Sequence, residues 1–285
     1  MTYALHPNTS LGLVKLKISN LEKSIAFYEK VIGLKSINVT NKTAQLSANG
    51  ITPLLELEQI DQPYTGSKRG HTGLYHFALL LPTRKALGKV LQHFINLHVP
   101  IGQADHLVSE ALYLSDLDGN GIEIYRDRPR DEWKLDERGL VKMASDPIDW
   151  EGILAEAKGE AFTGLDEGTI MGHMHLHVSS LPAAKKYYCD IMGFSLEADW
   201  SFNGAYFVAA GGYHHHLGLN VWNGQGIPPL PDHATGLAYY TIVLANQNEW
   251  NTLKQRLEAH SYSVTVTGNE MLTTDPFGIH IKLTY

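Results

Sequence analysis

Histidine and glutamate are the residues of this chain whose types and positions could do chemistry. The chain contains 15 histidines and a single cysteine. Imidazole binds divalent metals and exchanges protons near neutral pH, so this abundance indicates metal binding or proton transfer. His173 and His175 lie two residues apart and would share one face of a strand. Glu123 lies between Ile122 and Ile124, where burying a carboxylate is costly unless it has a partner.

The composition excludes several other classes of protein. With 44% hydrophobic and 19% charged residues, the chain can build a core and is not disordered. Its net charge of −7 argues against a surface that binds nucleic acid. Cys189 alone can form neither an internal disulfide nor a CxxC zinc site. Without a long apolar run or a leader-like start, we expect a cytoplasmic protein that does not bind membranes.

An internal repeat with an offset of 160 residues organises the chain. The segment LEKSIAFYEKVIGL at 21–34 aligns with LPAAKKYYCDIMGF at 181–194. The shared features are a leading leucine, an aromatic residue followed by tyrosine, and a glycine near the end. Thr72-Gly-Leu and Thr235-Gly-Leu, 163 residues apart, form a second matching pair, each before an apolar strand. The repeat indicates a duplication in which each half consists of two smaller units.

These smaller units are interpreted as β-α-β-β-β modules. In the first module an apolar strand at 11–18 precedes a helix over 20–32, which Gly33 ends. Thr83 and Ser180 are typical N-caps for the helices of the second and third modules. The predicted modules span 1–68, 69–128, 168–222 and 235–285, with a charged linker that contains a short helix at 129–167.

Four tandem βαβββ modules, with the aromatic–tyrosine and glycine motif in the first and third, resemble the vicinal oxygen chelate superfamily. This superfamily contains glyoxalase I, bleomycin-resistance proteins and extradiol dioxygenases. The resemblance covers nearly the whole chain outside the linker. It implies an α+β fold in which paired modules form two cup-shaped mixed sheets, with metal ligands on the first and last strands of the paired modules.

The resemblance also implies a ligand set. The family's ligand positions carry His76 and Glu123 in the second module and His173 in the third. The corresponding positions of the first and fourth modules carry Leu13, Glu56, Tyr239 and Lys282. Only one site therefore keeps residues that bind metals. We infer that the second module pairs with the third and the first with the fourth, since sequential pairing would leave neither half with a complete set.

The stretch from His106 to Glu123 is similar to the extradiol dioxygenase motif, with Tyr113 at the expected spacing. Leu117 stands where proline is usual, and Ala104 departs from the usual residue two positions before the histidine. The predicted last strand of the third module, at 214–222, begins with three histidines. The resemblance implies His216 as the acid–base residue, Tyr113 as a hydrogen-bond donor, His106 as its partner and His175 as a substrate-pocket residue.

Two imidazoles and one carboxylate on one face of an iron ion leave three positions open for the two oxygens of a catechol and for dioxygen. The expected function is therefore an Fe(II)-dependent extradiol ring-cleaving dioxygenase acting on a small aromatic diol. One alternative is a glyoxalase-like lyase or isomerase, in which His216 would be a fourth ligand to Mn, Zn or Ni. Another is a non-catalytic module that binds small molecules. A homo-oligomer is compatible with each.

Overall fold

The fold consists of two eight-stranded mixed sheets, seen in a computed structural model that describes residues 3–64 and 66–285. Met1, Thr2 and Thr65, which belong to the predicted first module, lie outside the described residues. One sheet combines the strands of the first and fourth modules, and the other combines those of the second and third. The predicted fold class and the predicted pairing of modules are both confirmed.

The elements follow the module order along the chain. The first module contains β1 Ser10–Ile18, α1 Leu21–Phe27 with a π-helical turn Tyr28–Ile32, β2 Lys35–Ile37, β3 Thr43–Ser47 and β4 Pro53–Gln59. The second contains β5 Gly73–Leu80, α2 Arg84–Asn96, β6 Gly102–Asp105, β7 Ser109–Ser115 and β8 Gly121–Asp127. A 3₁₀ turn Arg130–Glu132 and α3 Trp150–Ala157 lie in the linker.

The third module contains β9 Ile170–His177, α4 Leu181–Lys185 with a π-helical turn Lys186–Ile191, β10 Ser195–Trp200, a 3₁₀ turn Ser201–Asn203, β11 Ala205–Ala209 and β12 Leu217–Asn220. The fourth contains β13 Gly236–Val243, α5 Gln247–Ala259, β14 Val264–Thr267, β15 Glu270–Thr274 and β16 His280–Thr284. The sheet orders are β14-β15-β16-β13-β1-β4-β3-β2 and β10-β11-β12-β9-β5-β8-β7-β6. None of the helices in the described ranges is long and apolar enough to cross a bilayer.

The helix ends match their sequence signals. The side chain of Thr83 accepts a hydrogen bond from the backbone N–H of Ala86, and that of Ser180 accepts one from Ala183. These contacts satisfy N–H groups that have no partner within the helix. Gly33 has φ +89° and ends the first helical segment, as predicted. Local polar residues therefore determine where the helices begin and end.

The sequence did not predict the edge strands β6 and β10, and it placed the start of β12 too early. The sequence of β6, Gly-Gln-Ala-Asp, is too short and polar to show the alternation of a strand. Strand β12 begins at Leu217, so the prediction that a strand carries the run 214–216 is wrong. Gly211 and Gly212 both have positive φ and turn the chain after β11, so the histidines lie in a loop.

The strands of the second sheet alternate between a core face and a cup face. In β5, Phe77 and Leu79 pack in the main apolar core, whereas Ala78 packs with residues that line the cup. In β8, Ile122 and Ile124 point to the same core. Because successive side chains on a strand point to opposite faces, the intervening polar residues must face the cup.

Glu110 of β7 is the centre of a buried ionic network that holds the linker. Nε and Nη2 of Arg84 donate to its two carboxylate oxygens at 2.8 and 2.9 Å, and Nε of Arg126 donates at 2.7 Å. Arg84 also pairs with Asp149, the N-cap of α3, and with Glu156 inside it. The network ties α3 to the second module.

Candidate metal centre

Three adjacent strands bring the predicted ligands together. Ala78 of β5 pairs with His173 of β9 on one side and with Glu123 of β8 on the other. His76 lies two residues before Ala78, so its side chain points to the same cup face. Ala78 carries only a methyl group, which leaves the space between the three larger side chains open. No local pattern in the sequence points to this role of Ala78, since an alanine within an apolar strand is ordinary.

The three side chains converge on one point. Nε2 of His76 lies 2.9 Å from Oε2 of Glu123, and Nε2 of His173 lies 3.0 Å from the same oxygen. The two Nε2 atoms are 3.4 Å apart. Among the described residues, this is the group of histidine, cysteine and acidic side chains whose ligand atoms lie close enough together to hold a metal ion. All three residues are buried.

The spacing and donor types fit a divalent ion. Ligand atoms bound at about 2.1 Å and at right angles to each other lie about 3 Å apart. Burial lowers the pKa of His76, so its imidazole is neutral and can offer a lone pair to a metal. Burial opposes ionisation of Glu123, but the neighbouring imidazoles outweigh it and hold its pKa well below the usual range. The carboxylate is therefore charged, as a metal ligand must be.

A cavity of about 360 Å³ is lined by His76 and Glu123. Its walls include Trp200, Phe207 and Trp222, and His175 also lines it. Nε2 of His175 is buried without a hydrogen-bond partner among the described residues. The cavity therefore combines flat apolar walls with an available polar group, which is the usual composition of a site for a small ligand.

Tyr113 and His106 form a hydrogen-bonded pair on the wall of this cavity. Nε2 of His106 lies 2.6 Å from the Tyr113 hydroxyl, and Nδ1 of His106 lies 2.7 Å from the carbonyl oxygen of Ala144. Since a carbonyl only accepts, Nδ1 of His106 donates, and in the neutral imidazole Nε2 accepts from Tyr113. Burial raises the pKa of Tyr113 well above its usual value, so the phenol keeps its proton.

His215, and not His216, faces the cavity. The His215 ring lies 4.1 Å from that of His173 and 5.0 Å from that of Phe207, measured between centroids. His216 lies beside Tyr213, and its Nδ1 accepts a hydrogen bond from the backbone N–H of Ala210. The predicted acid–base residue is therefore not among those that the structure brings to the cavity. The prediction took the run 214–216 as part of a strand, whereas these residues precede β12 and lie in a loop.

The other cup carries ion pairs at the corresponding positions. Lys15 lies 2.9 Å from Glu56, and Lys282 lies 2.9 Å from Glu270 and packs over the ring of Tyr239. The lysine cations there neutralise the carboxylates beside them. The asymmetry between the two cups agrees with the sequence prediction that only one of them carries metal-binding residues.

A second cavity, of about 590 Å³, adjoins the first and shares Tyr75, His76 and Tyr113 with it. Lys68 and Arg69 lie along its wall. Nζ of Lys68 donates to the backbone carbonyl of Asp118 at 2.7 Å. Space therefore continues beyond His76 toward a basic region.

Comparison with known proteins identifies related chains. A model of the glyoxalase/bleomycin resistance protein/dioxygenase superfamily matches residues 10–124 and 170–283. A catechol-2,3-dioxygenase of Bacillus subtilis (strain 168) is 47% identical over 273 residues, which are 96% of either chain. The metallothiol transferase FosB of Lysinibacillus sphaericus (strain C3-41) is 31% identical over 119 residues, 41% of this chain and 81% of that protein.

Solved structures share the fold at low sequence identity. Glyoxalase I of Zea mays superimposes with a TM-score of 0.57 at 15% identity, over 97% of this chain and 92% of that one. The cppA protein of Streptococcus pneumoniae TIGR4 superimposes with a TM-score of 0.58 at 12% identity, over 100% and 99% of the two chains. At these identities the comparison establishes the architecture alone.

Proposed function

Because the chain belongs to the glyoxalase/bleomycin resistance protein/dioxygenase superfamily, we propose that it is an extradiol ring-cleaving dioxygenase for catechol-like diols. The observation that carries this proposal is the convergence of His76, His173 and Glu123 beside a cavity with aromatic walls. The 47% identity to a catechol-2,3-dioxygenase over nearly the whole chain supports the same reaction.

We propose Fe(II) as the ion held by these three side chains. Two imidazoles and one carboxylate on one face are the donor set of non-haem Fe(II) oxygenases. When bound, such an ion supplies Lewis acidity that favours ionisation of a catechol hydroxyl and holds the diol beside dioxygen. Mn(II) accepts the same donors and is therefore included in the test below.

The cavity residues have separate tasks toward the diol. Trp200, Phe207 and Trp222 provide flat surfaces that pack against an aromatic ring and exclude water from it. His175 provides a polar contact from the strand that carries His173. Together these residues would orient one ring edge toward the metal-binding side chains.

Proton transfer is assigned to the residues that line the cavity. His215 takes the acid–base role that the sequence analysis gave to His216, because its ring faces the cavity beside His173. Burial lowers the pKa of His215 well below its usual value, so its imidazole is neutral and can accept a proton. Tyr113 keeps its proton and can donate a hydrogen bond to oxygen that becomes negatively charged, with His106 behind it.

The proposal is tested by anaerobic reconstitution of the metal-free protein with Fe(II), Mn(II), Zn(II) or Ni(II), each in a separate sample. Catechol and then oxygenated buffer are added, and oxygen uptake is followed together with the absorbance of a yellow ring-opened product. We expect one molecule of oxygen consumed per catechol with Fe(II) or Mn(II). Turnover of a hemithioacetal with Zn(II) or Ni(II), and none of a panel of catechols with any metal, would contradict the proposal.

A further inference from the structure

A continuous series of hydrogen bonds leads from the end of β8 to His215, which lines the cavity. Oδ1 of Asp127 lies 2.8 Å from Nε2 of His214. Nδ1 of His214 lies 2.7 Å from Nδ1 of His215. Nε2 of His215 takes no part in these two hydrogen bonds. His215 lines the cavity in front of the metal-binding side chains.

The carboxylate of Asp127 determines which group donates and which accepts in both hydrogen bonds. An ionised carboxylate only accepts, so Nε2 of His214 donates to Asp127. In a neutral imidazole the other nitrogen then carries the lone pair, so Nδ1 of His214 accepts from Nδ1 of His215. His215 is thereby held as the tautomer with its proton on Nδ1 and its lone pair on Nε2.

The surroundings of Asp127 keep this carboxylate in place. Its side chain is 24% exposed, so water contributes to the solvation of its charge. The Tyr213 hydroxyl donates to Oδ1 of Asp127 at 3.3 Å, and the Tyr125 hydroxyl lies 2.7 Å from that of Tyr213. Gly172 lies against the Tyr125 hydroxyl, where a Cβ atom would collide with it. The packing of these two hydroxyls therefore holds the side chain of Asp127 in position.

Strand β8 connects this series of hydrogen bonds to the metal-binding side chains. Glu123, Tyr125 and Asp127 alternate along the strand and therefore share its cup face. His214, in the loop after β11, is fully buried, with its ring 6.2 Å from that of Tyr125 and 5.2 Å from that of Trp133. The strand that supplies one metal-binding carboxylate thus also supplies the carboxylate that anchors the histidine pair.

We propose that Asp127 and His214 are positioning residues that hold His215 with its Nε2 lone pair directed into the cavity. Neither residue needs to touch substrate, because both act through His215. The catalytic consequence rests on the proposed dioxygenase activity, whereas the tautomer of His215 does not. The two can therefore be tested apart.

The first measurement is kinetic and uses the Fe(II)-loaded protein. Asp127→Asn offers an amide N–H to His214, so donor and acceptor exchange roles in each of the two hydrogen bonds. His214→Leu removes the group that accepts from His215. We expect both variants to lower kcat by about 10- to 100-fold while KM for catechol and the iron content stay unchanged. His214→Asn places an amide oxygen near the position of Nδ1 and should restore a large share of kcat. Asp166→Asn, which alters a similarly accessible carboxylate paired with Lys89, should leave kcat unchanged.

The second measurement is independent of activity. ¹⁵N NMR of histidine-labelled, metal-free protein should show His215 protonated on Nδ1 in the wild type and on Nε2 in Asp127→Asn. Unchanged His215 signals in that variant, or equal losses of kcat in His214→Leu and His214→Asn, would overturn the assignment. If the wild type turns over no catechol but the tautomer depends on Asp127, the proposed activity fails and the positioning assignment stands.

Discussion

The hydroxyl of Tyr188 donates a 2.7 Å hydrogen bond to Oδ2 of Asp275, and the hydroxyl of Tyr28 makes the equivalent 2.8 Å bond to Asp116. All four side chains are buried. Each tyrosine lies in a π-helical turn, and each aspartate lies in the turn before the last strand of the following module. The first and second modules belong to different sheets, and so do the third and fourth, so each bond links the two sheets.

The first prediction concerns the pH dependence of stability. Burial raises the pKa of Asp275 to about 6, against 3.8 for an unperturbed side chain. Well below pH 3.8 the carboxyl is protonated in both the folded and the unfolded state. Between these pKa values the unfolded state releases the proton that the folded state retains, so the stability of the folded state falls as pH rises, by up to about 3 kcal/mol.

Asp275→Asn removes this titration. Relative to the wild type, the free energy of unfolding of the variant should therefore increase from pH 4 to pH 6 and level off above that. Urea unfolding at half-unit pH steps measures the difference. A difference between the two proteins that does not vary with pH would contradict the raised pKa.

The second prediction concerns metal binding. His173→Ala removes one of the three proposed ligands, so the variant should lose the stoichiometric Fe(II) that the wild type is proposed to retain after reconstitution and desalting, as measured by elemental analysis. In the wild type, metal at 100 times its Kd should stabilise the fold by about 2.7 kcal/mol, seen as a rise in Tm that the variant lacks.

Tyr239→His on the His173→Ala background adds an imidazole to the other cup. It should not restore binding, because that cup has lysine–glutamate pairs where the other ligands would be.

The third prediction separates two neighbouring histidines. His215→Gln should lower kcat by about 10²- to 10⁴-fold, the range of a lost general acid or base, with iron content retained. His216→Asn keeps an oxygen that can accept from the Ala210 N–H, and its kcat should remain near that of the wild type. Steady-state oxygen uptake measures both. The reverse order of effects would return the acid–base role to His216.

The fourth prediction concerns the ionic network that holds the linker. Glu110→Gln leaves Arg84 and Arg126 without a full counter-charge in a buried site, which should cost about 3–5 kcal/mol of unfolding free energy. Glu156→Gln removes a partly exposed partner of Arg84 and should cost about 1 kcal/mol or less. Urea unfolding at pH 7 compares the two variants. Equal losses would show that burial of Glu110 does not matter.

The sequence by itself determined the module order, and the family resemblance pointed to the residues that converge at the candidate metal centre. The repeat, the N-caps Thr83 and Ser180 and the glycine after the first helix are local signals, and the structure contains each of them. His76 and His173 were identifiable because the superfamily resemblance implies ligands on the first strands of the modules, and both residues lie within a regular strand. In such a strand, alternation decides which face a side chain occupies.

Only the tertiary structure decided which histidine of the run 214–216 faces the cavity. The run follows two glycines with positive φ, and the ladder of β12 begins only at Leu217. No strand periodicity applies to such a loop, so its side-chain directions depend on contacts made far away in the sequence. The contact of His214 with Asp127 spans 87 residues and that of Tyr188 with Asp275 spans the same number. Local patterns carry no information on such pairs, because the packing of the modules alone brings them together.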